Sequence, residues 1–149
     1  LLVEVQALVN PTSYGYPKRA ASGFDLNRLN LLVAMLERRT KLKLADQDIY
    51  INIVGGMKIT EPGADLAVCL AIGSAAKGLQ LKQNAVVFGE VGLSGEVRHV
   101  AHADRRLSEA KKLGFTGAIG PVQKNGKKLS GMYGVADVRS ALNQFLEKD

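Results

Sequence analysis

The sequence has one cysteine, no tryptophan and few other aromatic residues. Cys69 is the cysteine, and the aromatic residues are four Tyr and four Phe among 149 residues. A single cysteine excludes an internal disulfide framework and a zinc site built from cysteines, and it is typical of a cytoplasmic protein. So few aromatic side chains give little support to a platform on which single-stranded bases stack.

Long hydrophobic runs and a signal peptide are also missing. No apolar run approaches the ~20 residues that a membrane helix needs. The first five residues alternate like a strand, and they contain neither a signal-peptide pattern nor an initiator Met. We therefore expect a fragment of a longer protein. Its composition, 46% hydrophobic and 23% charged, fits one globular domain over residues 1–149.

Positive charge exceeds negative charge. The chain has 20 Lys and Arg against 14 Asp and Glu, a net charge of +6. Such a balance favours an anionic partner such as nucleic acid, but a basic surface that only aids solubility fits equally well.

The apolar periodicity predicts strands that alternate with helices, and hence an α/β (α+β) fold with a mixed sheet and two or three layers. Asp25 and Asp137 are the expected N-caps of the first and last helices. Residues 10–23 are predicted to form a long loop, and the apolar run 85–88 an inner strand. The first helix should turn Leu26, Leu29, Val33 and Leu36 inward, and the helix at 102–113 should turn Ala103, Leu107 and Ala110 inward. The strand at 49–54 alternates Ile49, Ile51 and Ile53 against Tyr50 and Asn52. Strands are predicted at 2–9, 49–54, 85–88, 96–100, 118–119 and 132–135, and helices at 25–39, 102–113 and 137–146, besides a central helix.

The central helix follows a glycine-containing loop. Two glycines after Val54 allow the chain to leave the preceding strand sharply. Pro62 favours a helix start, and Asp65 adds negative charge to the first turn. The helical spacing of the next apolar positions predicts that this helix is buried. These positions are Leu66, Cys69, Leu70 and Gly73.

No residue pattern predicts a nucleophile. A catalytic serine or threonine needs a base within hydrogen-bond reach, and Ser74, Ser94 and Thr60 have none evident beside them. Cys69 is expected to face the core, where a thiol is usually inert.

Two other site patterns are weak. His99, His102 and Asp104 are close in sequence, but a strand end and a helix start need not bring their side chains together around a metal. The glycine-containing basic segment 120–128 has the wrong spacing for a phosphate loop, and it lacks the Ser or Thr that would hold magnesium. A basic surface turn is the better interpretation.

Basic residues recur along the chain. Those in loops containing Gly or Ser can reach a phosphate backbone, whereas Arg38, Lys111 and Lys112 are interpreted as solvated helix faces. Arg28 lies one turn into the first helix and is expected beside Arg19. The predicted DNA contacts are Lys18, Arg19, Arg28 and Lys58.

Five motifs together resemble the C-terminal domain of the RadA (Sms) family of bacterial DNA-repair proteins. They are LLVEVQALV (1–9), GFDLNR (23–28), VGGMK (54–58), EPGADLA (61–67) and FGEVGLSGEV (88–97). The resemblance covers nearly the whole chain. It implies a ribosomal protein S5 domain 2-like fold, similar to the proteolytic domain of Lon, with a mixed sheet and packed helices.

Lon proteases cut peptides with a Ser–Lys dyad, and the resemblance implies where those residues would fall. Matched at Pro62, the serine position holds Gly63. Counted from Gly95, the lysine position holds Asp104. A glycine cannot attack, and an anionic carboxylate does not replace a neutral lysine amine as base. We therefore expect a pseudo-protease domain without catalytic residues, without a metal and without a cofactor of its own.

The family resemblance also implies a parent protein that is a DNA-dependent ATPase promoting branch migration in recombinational repair. Its upstream RecA-like ATPase domain and zinc segment would use ATP, magnesium and zinc. The present domain is expected to assemble a homo-hexameric ring and to contact DNA without sequence preference. Two alternatives stay open. One is a pure oligomerisation module without DNA contact, and the other is a residual peptidase with an unrecognised nucleophile.

Overall fold

The structure is a computed structural model that describes residues 2–13, 15–55, 61–123 and 129–148. These described residues form four helices and ten short strands, and the strands pair in small sheets. The strands are β1 (Val5–Pro11), β2 (Arg19–Ser22), β3 (Gln47–Ile53), β4 (Gln80–Leu81), β5 (Ala85–Val87), β6 (Glu90–Val91), β7 (Val97–Arg98), β8 (Gly117–Pro121), β9 (Met132–Val135) and β10 (Leu146–Glu147). The helices are α1 (Leu26–Arg39), α2 (Asp65–Lys77), α3 (Ala103–Lys112) and α4 (Val138–Phe145), and a 3₁₀ turn, Pro62–Ala64, precedes α2.

The first sheet is mixed and has the order β1-β3-β2. β1 runs antiparallel to β3, with Val5 opposite Ile53, and β2 runs parallel to it, with Arg19 opposite Ile49. All three alternating isoleucines of β3, including Ile51, are buried, as predicted. β2 lies within the predicted loop 10–23, so that prediction was wrong in part. A four-residue strand of small and basic residues gives no clear alternating pattern.

Helix α1 begins where the sequence predicts. The Asp25 side chain accepts a hydrogen bond from the backbone N–H of Arg28 at 2.9 Å, which satisfies one of the free donors of the first turn. The predicted inward residues Leu29, Val33 and Leu36 are buried. Leu26 was wrongly assigned to the same side, because the first helical residue is 44% exposed.

Helix α2 crosses the core. Pro62 opens the 3₁₀ turn, and Gly78, which follows the last residue of α2, has a φ of 64° that ends the helix. The predicted burial is confirmed for Leu66, Cys69, Leu70 and Gly73. α2 packs against β1, and at Gly73 it approaches Leu142 of α4.

The second half of the chain forms a parallel sheet with the order β5-β8-β9. β5 therefore lies at the edge of this sheet and not inside it, which corrects the prediction for residues 85–88. Helix α3 buries Ala103, Leu107 and Ala110 as predicted. Asp137 caps α4 by accepting a hydrogen bond from Ser140 N at 2.8 Å. The strands β4 and β10 pair with each other and were not predicted.

These observations confirm a mixed α/β fold with small sheets and four helices. The finer expectation of an S5-like or Lon-like topology stays a prediction.

Replacing each of two glycines by alanine should change the free energy of unfolding by different amounts. At Gly117 an added Cβ would lie 2.2 Å from the backbone oxygen of Gly131, which also accepts the N–H of Ala118 at 2.9 Å. At Gly73 it would lie 2.4 Å from the end of the Leu142 side chain, which can rotate. We expect Gly117→Ala to cost about 2–3 kcal/mol of unfolding free energy. Gly73→Ala should cost about 1 kcal/mol or less, because alanine gains helix propensity.

Urea unfolding followed by circular dichroism measures both variants. Equal losses would contradict the packing described at the two sites.

Candidate functional site

Gly63 lies in the 3₁₀ turn that leads into α2, and it is buried. Its carbonyl accepts the N–H of Gly89 at 2.8 Å, and Leu66 N donates to Gly89 O at 3.0 Å. The start of α2 is thereby fixed to the segment after β5. A Cβ at Gly63 would lie 2.8 Å from Glu61 Oε1. The position that the resemblance matches to a catalytic serine is therefore crowded by a carboxylate and has no side chain.

The Glu61 carboxylate is paired with Arg106 of α3. The Arg106 guanidinium also lies over the ring of Phe88, 5.5 Å from its centroid, and its Nε donates to Ala101 O at 3.4 Å. The Glu61 side chain is 56% exposed and that of Arg106 is 35% exposed, so this pair contributes little to stability. It does connect the turn before α2 to α3.

A cleft of about 970 Å³ opens beside these residues, between α2, β5, α3 and the segment that leads into β1. Among its described lining residues are Gly63, Phe88, His102, Arg105 and Arg106. Asp104, the other matched dyad position, does not line it. Asp104 is exposed in the first turn of α3, where its carboxylate accepts the N–H of Arg105 at 2.9 Å. The structure does not bring Gly63 and Asp104 together in this cleft.

Of the nucleophile candidates, Ser74 is hydrogen-bonded and Cys69 is buried. The Ser74 hydroxyl, at the edge of the cleft, donates to Leu79 O. Cys69 is fully buried, and desolvation raises the pKa of its thiol, which suppresses the reactive thiolate. Ser94 lies in the β6–β7 turn, away from the cleft lining, and Thr60 falls outside the described residues.

A buried ion pair lies just beyond Gly63. Arg28 Nε donates to Asp65 Oδ1 at 3.1 Å, and Arg28 Nη2 donates both to Asp65 Oδ2 and to the carbonyl of Val91, the latter at 2.9 Å. Val91 N donates to the same carboxylate at 3.1 Å. The Asp65 side chain is 1% exposed and that of Arg28 is 29% exposed. The hydrogen bond to Asp65 is the main cause that raises the pKa of Arg28.

Sequence reasoning missed this pair. A charged residue in the first turn of an otherwise apolar helix was a signal, because a buried carboxylate needs a partner. The partner itself could not be identified, since Arg28 is 37 positions away in sequence.

The other predicted DNA contacts that the structure describes have different partners from Arg28. Lys18 is exposed, and its backbone N–H donates to the Asp48 carboxylate at 2.8 Å. This hydrogen bond is the main reason why the pKa of Asp48 is lowered. Arg19 is half-buried, and its guanidinium donates to the carbonyls of Leu44 and Gln47. Lys58 falls outside the described residues, as does the basic segment 124–128. The guanidinium groups of Arg19 and Arg28 bind different segments, and the expected proximity of these two residues stays a prediction.

Within the described residues, no three His, Cys, Asp or Glu side chains are grouped so that they could hold a metal ion. No helix of that part of the chain is both long and apolar enough to span a membrane.

A family model described as subunit ChlI of Mg-chelatase matches residues 18–124, which is well over half of the chain. The chain belongs to this family. The ChlI family was not predicted from the sequence, whereas the resemblance to RadA is supported by individual relatives.

Several relatives are named DNA repair protein RadA, and three of them show the extent of the match. The protein from Escherichia coli K12 is 48% identical over 148 residues, which is 97% of this chain and 32% of that protein. The one from Bacillus subtilis 168 is 44% identical over 150 residues, 98% of this chain and 33% of that protein. The one from Chlamydia pneumoniae is 50% identical over 121 residues, which is 81% of this chain and 27% of that protein. The chain thus spans about a third of the length of the curated relatives it matches.

The Arg28–Asp65 pair should dominate the stability of this region. We expect Arg28→Met to cost about 3–5 kcal/mol of unfolding free energy, because it leaves a buried carboxylate without a counter-charge. In the double variant Arg28→Met/Asp65→Asn the cost should fall short of the sum of the single costs by about 0.5–3 kcal/mol, because no buried charge remains.

Urea unfolding of the four proteins in this cycle measures the coupling. Arg98→Met is the matched control, since the Arg98–Glu96 pair is 3.7 Å long and exposed and should be worth about 0–1 kcal/mol. Additive costs for Arg28 and Asp65 would contradict the proposed role.

Proposed function

We propose that this chain is a non-catalytic, Lon-like scaffold domain of a RadA-type DNA-repair protein. In this proposal the domain assembles a homo-hexameric ring and contributes DNA contacts without sequence preference. The observation that carries the proposal is the 48% identity with the Escherichia coli protein named DNA repair protein RadA, which extends over 97% of the chain.

The surroundings of Gly63 support the non-catalytic part. The position has no side chain, its carbonyl is bound to Gly89, and the nearest carboxylate is paired with Arg106. Asp104 is exposed and outside the cleft lining. Peptide hydrolysis by a Ser–Lys pair needs a hydroxyl and a neutral amine within hydrogen-bond reach of each other. Neither group is present at the matched positions.

The DNA-binding part of the proposal now concerns Lys18, Arg19 and Lys58. Arg28 is not included, because its guanidinium is bound to Asp65 and Val91 and its charge is already balanced. Replacing Arg28 would test the stability of the fold and not DNA contact. A ring repeats each weak contact in every subunit, so a few lysines per chain can give strong, salt-sensitive binding.

The parent protein in this proposal supplies the chemistry. An upstream RecA-like ATPase domain would hydrolyse ATP with magnesium, and an upstream zinc segment would accompany it. This domain would then position the motor subunits around DNA in the bacterial cytoplasm.

The solution mass of the chain with and without duplex DNA tests this function. Size exclusion with light scattering should give about six times the chain mass of 15.9 kDa, and labelled duplex of any sequence should elute with the ring at low salt. A ring that leaves the DNA behind would favour the pure oligomerisation module. A monomer that neither assembles nor binds DNA would refute the proposal.

A further inference from the structure

Four basic side chains lie together where α1 ends. Arg38 and Arg39 occupy its last turn, and Lys41 and Lys43 follow in the next loop. All four are exposed, and no acidic residue occurs between positions 38 and 43. None of them forms an ion pair within the described part of the chain.

The loop that carries the two lysines is held in place. Leu42 is 5% exposed and Leu44 is fully buried, so the chain is anchored at alternate residues. The Leu44 N–H donates to the carboxylate of Glu37, which lies in the last turn of α1. Because Leu42 and Leu44 point inward, Lys41 and Lys43 project into solvent from a fixed backbone. Such preorganised charges lose less freedom on binding than those of a free loop.

Arg19 joins this loop to a second basic segment. Its Nη2 donates to Leu44 O at 3.0 Å and its Nη1 donates to Gln47 O, so β2 and the loop after α1 are tied together. Lys18 precedes Arg19 and is exposed. We call the combined set the basic surface, which consists of Lys18, Arg19, Arg38, Arg39, Lys41 and Lys43.

The acidic residues around the basic surface are engaged by neutral donors. Glu37 accepts from a backbone N–H, and the Asp48 carboxylate accepts from Lys18 N at 2.8 Å and from Thr12 Oγ1 at 2.9 Å. Asp46 accepts from the side-chain amide of Gln47 at 3.3 Å. None of the three forms an ion pair with a cation of the surface. The three carboxylates keep their negative charge, so they offset half of the six positive charges of the basic surface and leave it a net charge of +3.

We infer that the basic surface binds the phosphate backbone of DNA. Lysine and arginine side chains that gather on one face neutralise phosphates and release counter-ions, and this gives affinity without sequence preference. The inference rests on the proposed function and adds the location of the contact. It joins the predicted contacts Lys18 and Arg19 to Arg38, which the sequence pattern had assigned to a solvated helix face.

Charge reversal on the loop tests the assignment. Lys41→Glu/Lys43→Glu should weaken binding to a labelled duplex at low salt by about tenfold or more, equally for unrelated sequences. It should also lower the slope of log affinity against log salt by about two, because two phosphate contacts are lost. Fluorescence anisotropy over a salt series measures both quantities. Arg38→Glu/Arg39→Glu is the second variant and should act in the same direction.

Lys77→Glu/Lys112→Glu is the matched control. Both lysines are exposed and carry the same charge change on α2 and α3, and this control should change affinity by no more than about twofold. Circular dichroism and melting of each variant verify that the fold is kept.

The outcomes separate the two proposals. If the wild-type chain binds DNA and both basic-surface variants bind it equally well, the basic surface is not the contact site, although the proposed DNA contact stands. Equal losses in the control and the variants would mean that only net charge matters, which also overturns the location. No binding by the wild-type chain at any salt would refute DNA contact itself.

Discussion

The arrangement of this domain depends on one buried carboxylate. Asp65 opens α2 with a side chain that is 1% exposed, and its charge is balanced by Arg28 of α1 and by the N–H of Val91 in β6. Leaving such a carboxylate unpaired in the interior would cost several kcal/mol, so the three segments are held in one relation to each other. The neighbouring bonds between Gly63, Leu66 and Gly89 fix the 3₁₀ turn against the same region.

Helix α1 connects this internal constraint to the surface that we propose for DNA. Arg28, in its first turn, faces inward to Asp65, whereas Arg38 and Arg39, in its last turn, are exposed. The cleft is lined by Gly63 and Ala64, which directly precede Asp65, the partner of Arg28. Two of the charged residues that line it, Glu61 and Arg106, are paired with each other. In this account the cleft is part of the architecture, and recognition occurs at the other end of α1.

The sequence predicts the parts of this fold that are periodic or locally capped. The alternating isoleucines of β3 and the caps Asp25 and Asp137 were found from spacing and residue type alone. The strands β2, β4, β6 and β10 were missed, because two to four residues are too few to show a period. Contacts between distant segments, such as Arg28 with Asp65 or Arg19 with Leu44, could not be predicted from the sequence, because they depend on how the elements pack. The alternation of lysine and leucine over 41–44 was a visible local signal of an exposed basic edge.

The central claim is that the cleft at Gly63 has no catalytic function and serves as structure. A time course of casein digestion by the purified chain tests it most directly. The account predicts no cleavage above the buffer rate, because no hydroxyl and base are placed together at the matched positions. Cleavage of casein that disappears after a single substitution in the cleft, such as Ser74→Ala, would contradict it.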